Sequence, residues 1–118
     1  MTVAPDRTRL VDVCDATVLT ADRGKAALVD GAPVALFRLW TGDLAAVDDT
    51  DPFSGAPVLS RGIVGEVDGR PTVASPLYKQ RFDLLTGECL DRPDVRIRVH
   101  EAIDIGGRIH VSLDRARP

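Results

Sequence analysis

The fold prediction depends on two short proline loops, DPFSGA at residues 51–56 and SPLYKQRF at residues 75–82. Between them, residues 59–65 are LSRGIVG, a tight turn followed by an apolar strand. A residue that precedes proline is held in an extended conformation, which applies here to Asp51 and Ser75. Short polar side chains in such positions accept hydrogen bonds from N–H groups two residues further on. Asp51 and Ser75 are therefore predicted to cap their own loops.

Short β-strands joined by tight turns are predicted on both sides of these loops. Asp30-Gly31 and Asp68-Gly69 are hairpin signals, because both residues of a type I′ turn need positive φ. Pro33 stands at the start of a strand, where its missing N–H is tolerated. Strands are expected at residues 25–29, 34–40, 44–47, 63–67, 70–74 and 81–84.

A further strand is predicted near the C-terminus, where Val95, Ile97 and Val99 alternate with polar residues. Ile103 and Ile105 are expected to continue it after a bulge. The histidines of this region, His100 and His110, stand at polar positions of the alternation, so both are predicted to be exposed.

No segment shows the 3.6-residue period of a long helix, and residues 19–27 could hold one turn at most because Gly24 disfavours more. The chain is therefore predicted to be all-β, with about ten short strands in small antiparallel sheets that form a sandwich or barrel. One domain is expected over residues 8–113, with a disordered head at 1–7 and a frayed tail at 114–118.

Composition excludes several classes of function. The net charge is −3, no basic cluster is present, and one Trp and one Tyr offer little for stacking on bases, so nucleic-acid binding is disfavoured. No run of 18 apolar residues exists, which disfavours a membrane span. The N-terminal residues lack the basic and apolar regions of an export signal, and a cytoplasmic location is predicted.

Cysteines and histidines give no metal motif. Cys14 and Cys89 are isolated in the sequence and are predicted to be buried thiols rather than a disulfide. A zinc site that joins them to His100 and His110 is the alternative, but none of the four has the close pairing of a structural zinc motif. No nucleophile–base arrangement is predicted either, because neither histidine has a partner at a suitable spacing.

The two proline loops resemble the cluster-binding loops of Rieske iron–sulfur domains, which carry Cys-x-His in the first loop and Cys-x-x-His in the second. Residues 50–62 and 74–82 correspond to those loops, and the spacing is kept. Every ligand is replaced: Asp51 and Phe53 stand at the first Cys and His positions, and Ser75 and Tyr78 at the second. The resemblance implies a Rieske-like fold.

These replacements predict that no cluster is bound in this chain. A Rieske centre needs two thiolates on one iron and two imidazoles on the other. Phe53 has no lone pair to donate, and the hydroxyl of Ser75 is far more basic than a thiol. The rings of Phe53 and Tyr78 are expected to fill the cluster volume as an apolar plug, and the Tyr78 hydroxyl is expected to donate to Asp51. A remodelled functional site at these four positions is the alternative.

A closer resemblance is to the small subunits of NAD(P)H-dependent assimilatory nitrite reductases, a branch of the Rieske-like family without a cluster. The resemblance extends over roughly residues 8–113, judged from matching phrases throughout the chain. The phrases that carry it are VALFRL (34–39), DPFSGA (51–56), LSRGIVG (59–65) and ASPLYKQ (74–80).

This resemblance implies an accessory subunit of an enzyme that reduces nitrite to ammonium in nitrate assimilation. The implied partner is the large subunit, which is expected to carry sirohaem, a [4Fe-4S] cluster, FAD and the NAD(P)H site. This chain is expected to be non-catalytic, without a metal or cofactor of its own. Its large-subunit interface is predicted at Arg61, Lys79, Gln80 and Arg81, with a solvated loop edge as the alternative.

Two other functions stay open at this point. One is a Rieske-type [2Fe-2S] electron-transfer protein, which the missing ligands disfavour. The other is a stand-alone binding module on the same fold. The sequence does not distinguish the second from the accessory subunit, because both would act through binding surfaces.

Overall fold

The computed structural model describes residues 10–113, and the predictions for residues 1–7 and 114–118 lie outside the described residues. The described part contains nine strands and two short 3-10 turns, Ala16–Val18 and Leu59–Arg61. The strands are β1 (Val11–Asp15), β2 (Gly24–Val29), β3 (Ala32–Arg38), β4 (Leu44–Asp48), β5 (Ile63–Val67), β6 (Arg70–Ala74), β7 (Arg81–Asp83), β8 (Val99–Ile105) and β9 (Arg108–Ser112). The all-β prediction is confirmed.

The larger sheet has six strands in the order β1-β9-β8-β4-β3-β2, and each neighbouring pair is antiparallel. Its two edge strands, β1 and β2, contact each other, so the sheet is nearly closed. Strand β3 is buried on both faces: Ala35 and Phe37 belong to one apolar cluster, and Val34 and Leu36 to the other. A strand with two buried faces has a continuous apolar sequence, as Val34–Phe37 does.

The smaller sheet has the order β5-β6-β7 and packs against the larger one. Phe37 and Val47 of the larger sheet and Val73 and Phe82 of the smaller one share a cluster, and Leu59 from the connecting turn joins them. Burial of these side chains stabilises the contact between the sheets by roughly 1.5–3 kcal/mol per large residue. The two proline loops extend from this shared core, one after β4 and one between β6 and β7.

The turn that contains Ser60 and Gly62 fits closely between the two sheets. A Cβ atom on Gly24 of β2 would lie 2.3 Å from the Ser60 carbonyl oxygen, and one on Gly62 would lie 2.3 Å from the Ala74 carbonyl oxygen. The N–H of Ser60 donates to Oδ1 of the buried Asp49 at 2.7 Å. Only glycine allows the backbone to approach this closely, so Gly24 and Gly62 let the turn pack directly on both sheets.

Both predicted Asp-Gly hairpins are present. Asp30-Gly31 has φ of 49° and 83°, and Asp68-Gly69 has φ of 51° and 81°, as a type I′ turn requires. They join β2 to β3 and β5 to β6, and the pairing is regular in both hairpins. Within residues 10–113, no helix is long and apolar enough to cross a membrane.

The predicted strand from Val95 begins later than expected. Strand β8 starts at Val99, and the segment before it crosses from the smaller sheet to the larger, with Ile97 N–H donating to the Gly87 carbonyl at 2.9 Å. Ile97 is buried in this crossing, which explains the alternation without a strand. The predicted bulge in β8 is also wrong, because its pairing with β9 is regular and the irregularity lies in β1, between Asp12 and Cys14.

A buried carboxylate closes the turn after β7. Oδ1 of Asp83 accepts from the N–H groups of Leu85 and Thr86 at 2.7 and 3.0 Å, and Oδ2 accepts from Arg70 Nε at 2.6 Å. Arg70 also pairs with Glu88 at 3.0 Å. Burial of Asp83 raises its pKa, but the hydrogen bonds from Leu85, Arg70 and Thr86 outweigh that effect and hold the pKa below its usual value.

The depressed pKa of Asp83 predicts an acid-sensitive contribution to stability. Such a carboxylate stabilises the fold fully above its unfolded-state pKa of about 3.9, and the contribution is lost as pH falls through the lower folded-state pKa. Asp83→Asn is expected to cost about 2 kcal/mol at neutral pH, because it loses charge-assisted hydrogen bonds. The free energy of unfolding of the variant should then fall less steeply than that of wild type as the pH is lowered below about 4.

Denaturant titrations across this pH range would measure the effect. Asp12→Asn is the matched control, since Asp12 also pairs with an arginine, Arg108, and has a lowered pKa, but is half exposed. Solvent screening makes exposed ion pairs weak, so this variant should behave nearly as wild type. Equal acid sensitivity of wild type and Asp83→Asn would contradict the assignment.

Candidate functional site: the paired proline loops

The first loop is closed by the backbone and side chain of Asp51. Its N–H donates to the Ala56 carbonyl at 2.8 Å, and its carbonyl accepts from Gly55 N–H at 2.7 Å. Its Oδ1 accepts from Phe53 N–H at 2.8 Å, which is the cap predicted from the following proline. Asp51 itself is fully buried, so the loop is closed from its inner side.

The second loop repeats this geometry around Ser75. The Ser75 N–H donates to the Gln80 carbonyl at 2.9 Å, and its carbonyl accepts from Lys79 N–H at 3.0 Å. Its Oγ accepts from Leu77 N–H at 3.2 Å, as predicted. The residue four positions on is left-handed in both loops, Gly55 with φ of 78° and Lys79 with φ of 67°. The two loops are therefore two copies of one local structure.

The loops are joined by a hydrogen bond between their buried first residues. Ser75 Oγ donates to Asp51 Oδ2 at 2.6 Å, and both residues have 0% exposure. The carboxylate thus holds its own loop through Oδ1 and the other loop through Oδ2. The predicted hydrogen bond from Tyr78 to Asp51 is wrong, since Ser75 takes that place and Tyr78 is 58% exposed.

One of the two expected rings fills the space beside this contact. Phe53 packs against the shared core, with its ring centroid 6.2 Å from that of Phe82. The guanidinium of Arg92 lies over the Phe53 ring at 5.9 Å, a cation–π distance. The prediction that Tyr78 contributes to the plug is wrong. Tyr78 and its neighbour Leu77 are exposed at the tip of the second loop.

The residues of the two loops do not fit a Rieske cluster. Asp51 and Ser75 satisfy each other directly, Phe53 has no donor atom, and Tyr78 is exposed. Iron–sulfur clusters are bound by thiolates, with imidazoles in the Rieske case, and neither group is present in the loops. Within residues 10–113, no group of three or more His, Cys, Asp or Glu side chains could hold a metal ion.

The cysteines and histidines lie on different elements of the fold. Cys89 is buried in the shared core, and Cys14 is partly buried on β1. Burial raises the pKa of the Cys14 thiol. The prediction that both histidines are exposed is wrong: His100 is buried with Nε2 2.9 Å from Asp48 Oδ1, and His110 is half-buried on β9. His100 faces the interior because β8 pairs with β4 at this residue, opposite Ala46.

The four residues predicted to meet a partner occupy different environments. Arg61 ends the 3-10 turn and is exposed, and Lys79 is exposed on the second loop. Arg81 is held by Asp91, with Nη2 and Oδ1 2.9 Å apart, so its charge is already paired. Gln80 is half-buried, and its Oε1 is buried without a hydrogen-bond partner in the described part of the chain. The structure brings together Asp51 and Ser75.

Comparison with known proteins is decisive at the level of family. A family model described as a Rieske-like [2Fe-2S] domain matches residues 9–112. The chain belongs to this family. Among members of the Rieske-like family, it is 38% identical over 92 residues to the nitrite reductase (NADH) small subunit of Escherichia coli K12, which covers 77% of this chain and 85% of that protein. The same figures hold for the small subunit of Salmonella typhimurium LT2.

Solved structures of this Rieske-like family agree. The crystal structure of the putative NADH-dependent nitrite reductase small subunit from Mycobacterium tuberculosis matches with a TM-score of 0.86 and 46% identity over 90% of this chain and 96% of that one. The ferredoxin of carbazole 1,9a-dioxygenase from Nocardioides aromaticivorans IC177 matches with a TM-score of 0.77 at 24% identity, which shows the shared fold alone. The recognition of nitrite reductase small subunits from the sequence is confirmed.

One relative carries a similar domain inside a much larger protein. The nitrite reductase [NAD(P)H] large subunit of Klebsiella oxytoca is 37% identical to this chain over 100 residues, which are 84% of this chain and 10% of that protein. In that organism, a Rieske-like domain similar to this chain is covalently part of the large subunit.

Two features near the loops are not predictable from the sequence pattern. Asp49 is buried and holds Ser60, although an aspartate in the run Asp48-Asp49 has the pattern of a surface turn. Arg23 and Lys25 line a groove together with Arg61. They lie far apart from Arg61 in the sequence, so only the packing of β2 on the 3-10 turn brings them together.

Proposed function

We infer that this chain is the small subunit of an NAD(P)H-dependent nitrite reductase and acts by associating with the large subunit. The observation that carries this inference is the identity of 38% to the Escherichia coli small subunit across most of both chains. The large subunit of Klebsiella oxytoca supports it, because a domain 37% identical to this chain is part of that protein. Covalent fusion in one organism is consistent with stable association in another.

The chemistry of the loops supports a role in binding rather than electron transfer. We propose that Asp51, Phe53, Ser75 and Tyr78 occupy the positions of the four Rieske ligands. Two cysteines that bind one iron must lie side by side, and the contact between Asp51 Oδ2 and Ser75 Oγ at 2.6 Å has this arrangement. With a carboxylate and a hydroxyl in these positions, the two loops offer no site for a redox cluster.

The reaction and its cofactors are then properties of the large subunit. We propose that sirohaem, a [4Fe-4S] cluster, FAD and NAD(P)H bind there and that nitrite is reduced to ammonium there, in the cytoplasm. The small subunit is an essential part of the assembled enzyme in this proposal. The Rieske-type electron carrier is the second candidate, and the donor set of the loops disfavours it.

Co-expression with the large subunit from the same genome tests the proposal. The tagged chain is expected to retain the large subunit through purification, and the complex should oxidise NADH or NADPH when nitrite is added. The chain purified alone under nitrogen should be colourless, with iron well below one atom per chain. A chain that never retains the large subunit would favour a stand-alone module, and about two irons per chain would favour the electron carrier.

A gain of metal binding tests the proposed ligand positions separately. The variant with Asp51→Cys, Phe53→His, Ser75→Cys and Tyr78→His is expected to bind about two irons per chain after reconstitution with iron and sulfide, with the visible absorption of a Rieske centre. Wild type treated in the same way is the control and should stay colourless. A folded quadruple variant that binds no iron would contradict the assignment of these positions.

A further inference from the structure

A surface groove lies between the start of β2 and the 3-10 turn Leu59–Arg61. It has a volume of about 410 Å³, and its charged lining residues are Arg23, Lys25 and Arg61. No acidic residue among those that the structure describes lines it. The protein as a whole carries a net charge of −3, so this groove is a local concentration of positive charge on an acidic protein.

The three cations of the groove are free, whereas most arginines of the described chain are engaged. In residues 10–113, the side chains of Arg23, Lys25 and Arg61 make no hydrogen bond or ion pair. The engaged arginines bind carboxylates or carbonyls: Arg38, Arg70, Arg81, Arg92, Arg96 and Arg108. Three unpaired like charges on one concave surface repel one another, which destabilises the free protein slightly and favours an anionic partner.

The groove is held rigid by close backbone contacts. A Cβ on Gly24 would lie 2.3 Å from the Ser60 carbonyl oxygen, so the two walls touch directly. Asp49 holds the N–H of Ser60 at 2.7 Å from inside the core. The cations therefore extend from fixed backbone positions, and less conformational freedom is lost when a partner binds than would be lost from a mobile loop.

We propose that this groove is the docking site for an acidic segment of the large subunit. The proposal rests on the proposed function, and it moves the interface from the loop tip to Arg23, Lys25 and Arg61, of which only Arg61 was predicted from the sequence. Complementary charge steers association and fixes register, which suits a subunit that contributes by binding.

A polypeptide segment fits the groove better than a small anion does. Sites for small ligands are concave and bury most of the ligand. Here the three charged side chains that line the groove, those of Arg23, Lys25 and Arg61, are all exposed, so a small anion held by them would stay in contact with water. An extended segment with several Asp or Glu residues can reach all three cations at once, and its many weak contacts add up.

Charge reversal tests the groove in the complex of the two full-length subunits. The variant with Arg23→Glu, Lys25→Glu and Arg61→Glu is expected to weaken binding of the large subunit about 100-fold, and the single variants about threefold to tenfold each. Wild-type binding should also weaken strongly as NaCl is raised from about 50 to about 500 mM, since exposed charges are screened. Biolayer interferometry with immobilised large subunit measures both effects.

The control carries the same change of charge outside the groove. The variant with Lys79→Glu, Arg96→Glu and Arg98→Glu replaces three exposed cations, and Lys79 belongs to the interface predicted from the sequence. It should bind within about threefold of wild type, and the melting temperatures of both triple variants should show that they fold. Equal loss in both triple variants, or no loss in either, would overturn the groove as docking site. Failure of wild type to bind at all would instead overturn the proposed function.

Cross-linking identifies the partner segment directly. The chain has two lysines, Lys25 in the groove and Lys79 on the second loop. A carbodiimide joins a lysine to a carboxylate that it contacts, so Lys25 is expected to be linked to Asp or Glu of the large subunit in the wild-type complex. Cross-links from Lys79 alone would overturn the proposal. So would a groove that binds inorganic phosphate tightly while cross-linking to the large subunit nowhere, which would indicate a small-anion site.

Discussion

Asp51→Ala is expected to lower the free energy of unfolding by about 3 kcal/mol. The substitution removes a fully buried carboxylate that accepts from Phe53 N–H at 2.8 Å and from Ser75 Oγ at 2.6 Å. The Ser75 hydroxyl stays buried and the Phe53 N–H stays partly buried, and an unsatisfied buried donor costs about 1–3 kcal/mol. The loss is large for a domain whose total stability is about 5–15 kcal/mol. Equilibrium denaturation in guanidinium chloride measures it.

A double-mutant cycle with Ser75→Ala isolates the contact between the loops. Ser75→Ala alone is expected to cost about 1–2 kcal/mol, because it removes the donor to Asp51 and leaves the other hydrogen bond of the carboxylate intact. The double variant should cost less than the sum of the single variants by about 1 kcal/mol or more, as for residues in one hydrogen-bond network. Additive costs would show that the two residues act independently and would contradict the contact.

Gly87→Ala is expected to destabilise the fold by about 3 kcal/mol or more and to reduce the yield of folded protein. Gly87 has φ of 81°, which disfavours any L side chain, and a Cβ here would lie 2.1 Å from the Ile97 carbonyl oxygen. The collision is with backbone, which cannot move aside as a flexible side chain can. It would separate the turn after β7 from the segment that crosses to the larger sheet, where Ile97 N–H donates to the Gly87 carbonyl at 2.9 Å. Thermal and denaturant unfolding measure the cost.

Gly69→Ala is a closely matched control for this substitution. Gly69 also has φ of 81°, but a Cβ at this position would meet nothing within 4 Å. Its cost should be the conformational penalty alone, about 1–2 kcal/mol. The difference between the two variants is therefore the cost of the collision with Ile97. Equal destabilisation would show that the close approach relaxes without cost.

The elements that the sequence predicts well are those that local chemistry determines. The hairpins at Asp30-Gly31 and Asp68-Gly69 need only the positive φ of two adjacent residues, and the caps at Asp51 and Ser75 need only the proline that follows each. The start of β8 was mispredicted because a segment that crosses between two sheets can bury every second residue, as Ile97 shows, without pairing as a strand.

The features of the site that the sequence does not predict are tertiary. Asp51 and Ser75 are 24 residues apart, and their hydrogen bond exists only because the two loops extend from one core. The burial of His100 depends on the pairing of β8 with β4, which its local alternation does not specify. The position of Tyr78 is likewise not predictable from the sequence. The loop has a left-handed residue at Lys79, and Tyr78 lies exposed at the loop tip instead of contacting Asp51.

The hydrogen bond between Asp51 and Ser75 also has a consequence for how the subunit is made. A domain whose loops close around a metal cluster reaches its final structure only after the metal is delivered, since metal binding and folding are coupled. Here the two groups that hold the loops together are encoded in the chain and are complete on synthesis. Supply of the subunit in its mature form is therefore independent of iron availability and of the cluster-assembly machinery, and oxygen has no cluster in these loops to destroy.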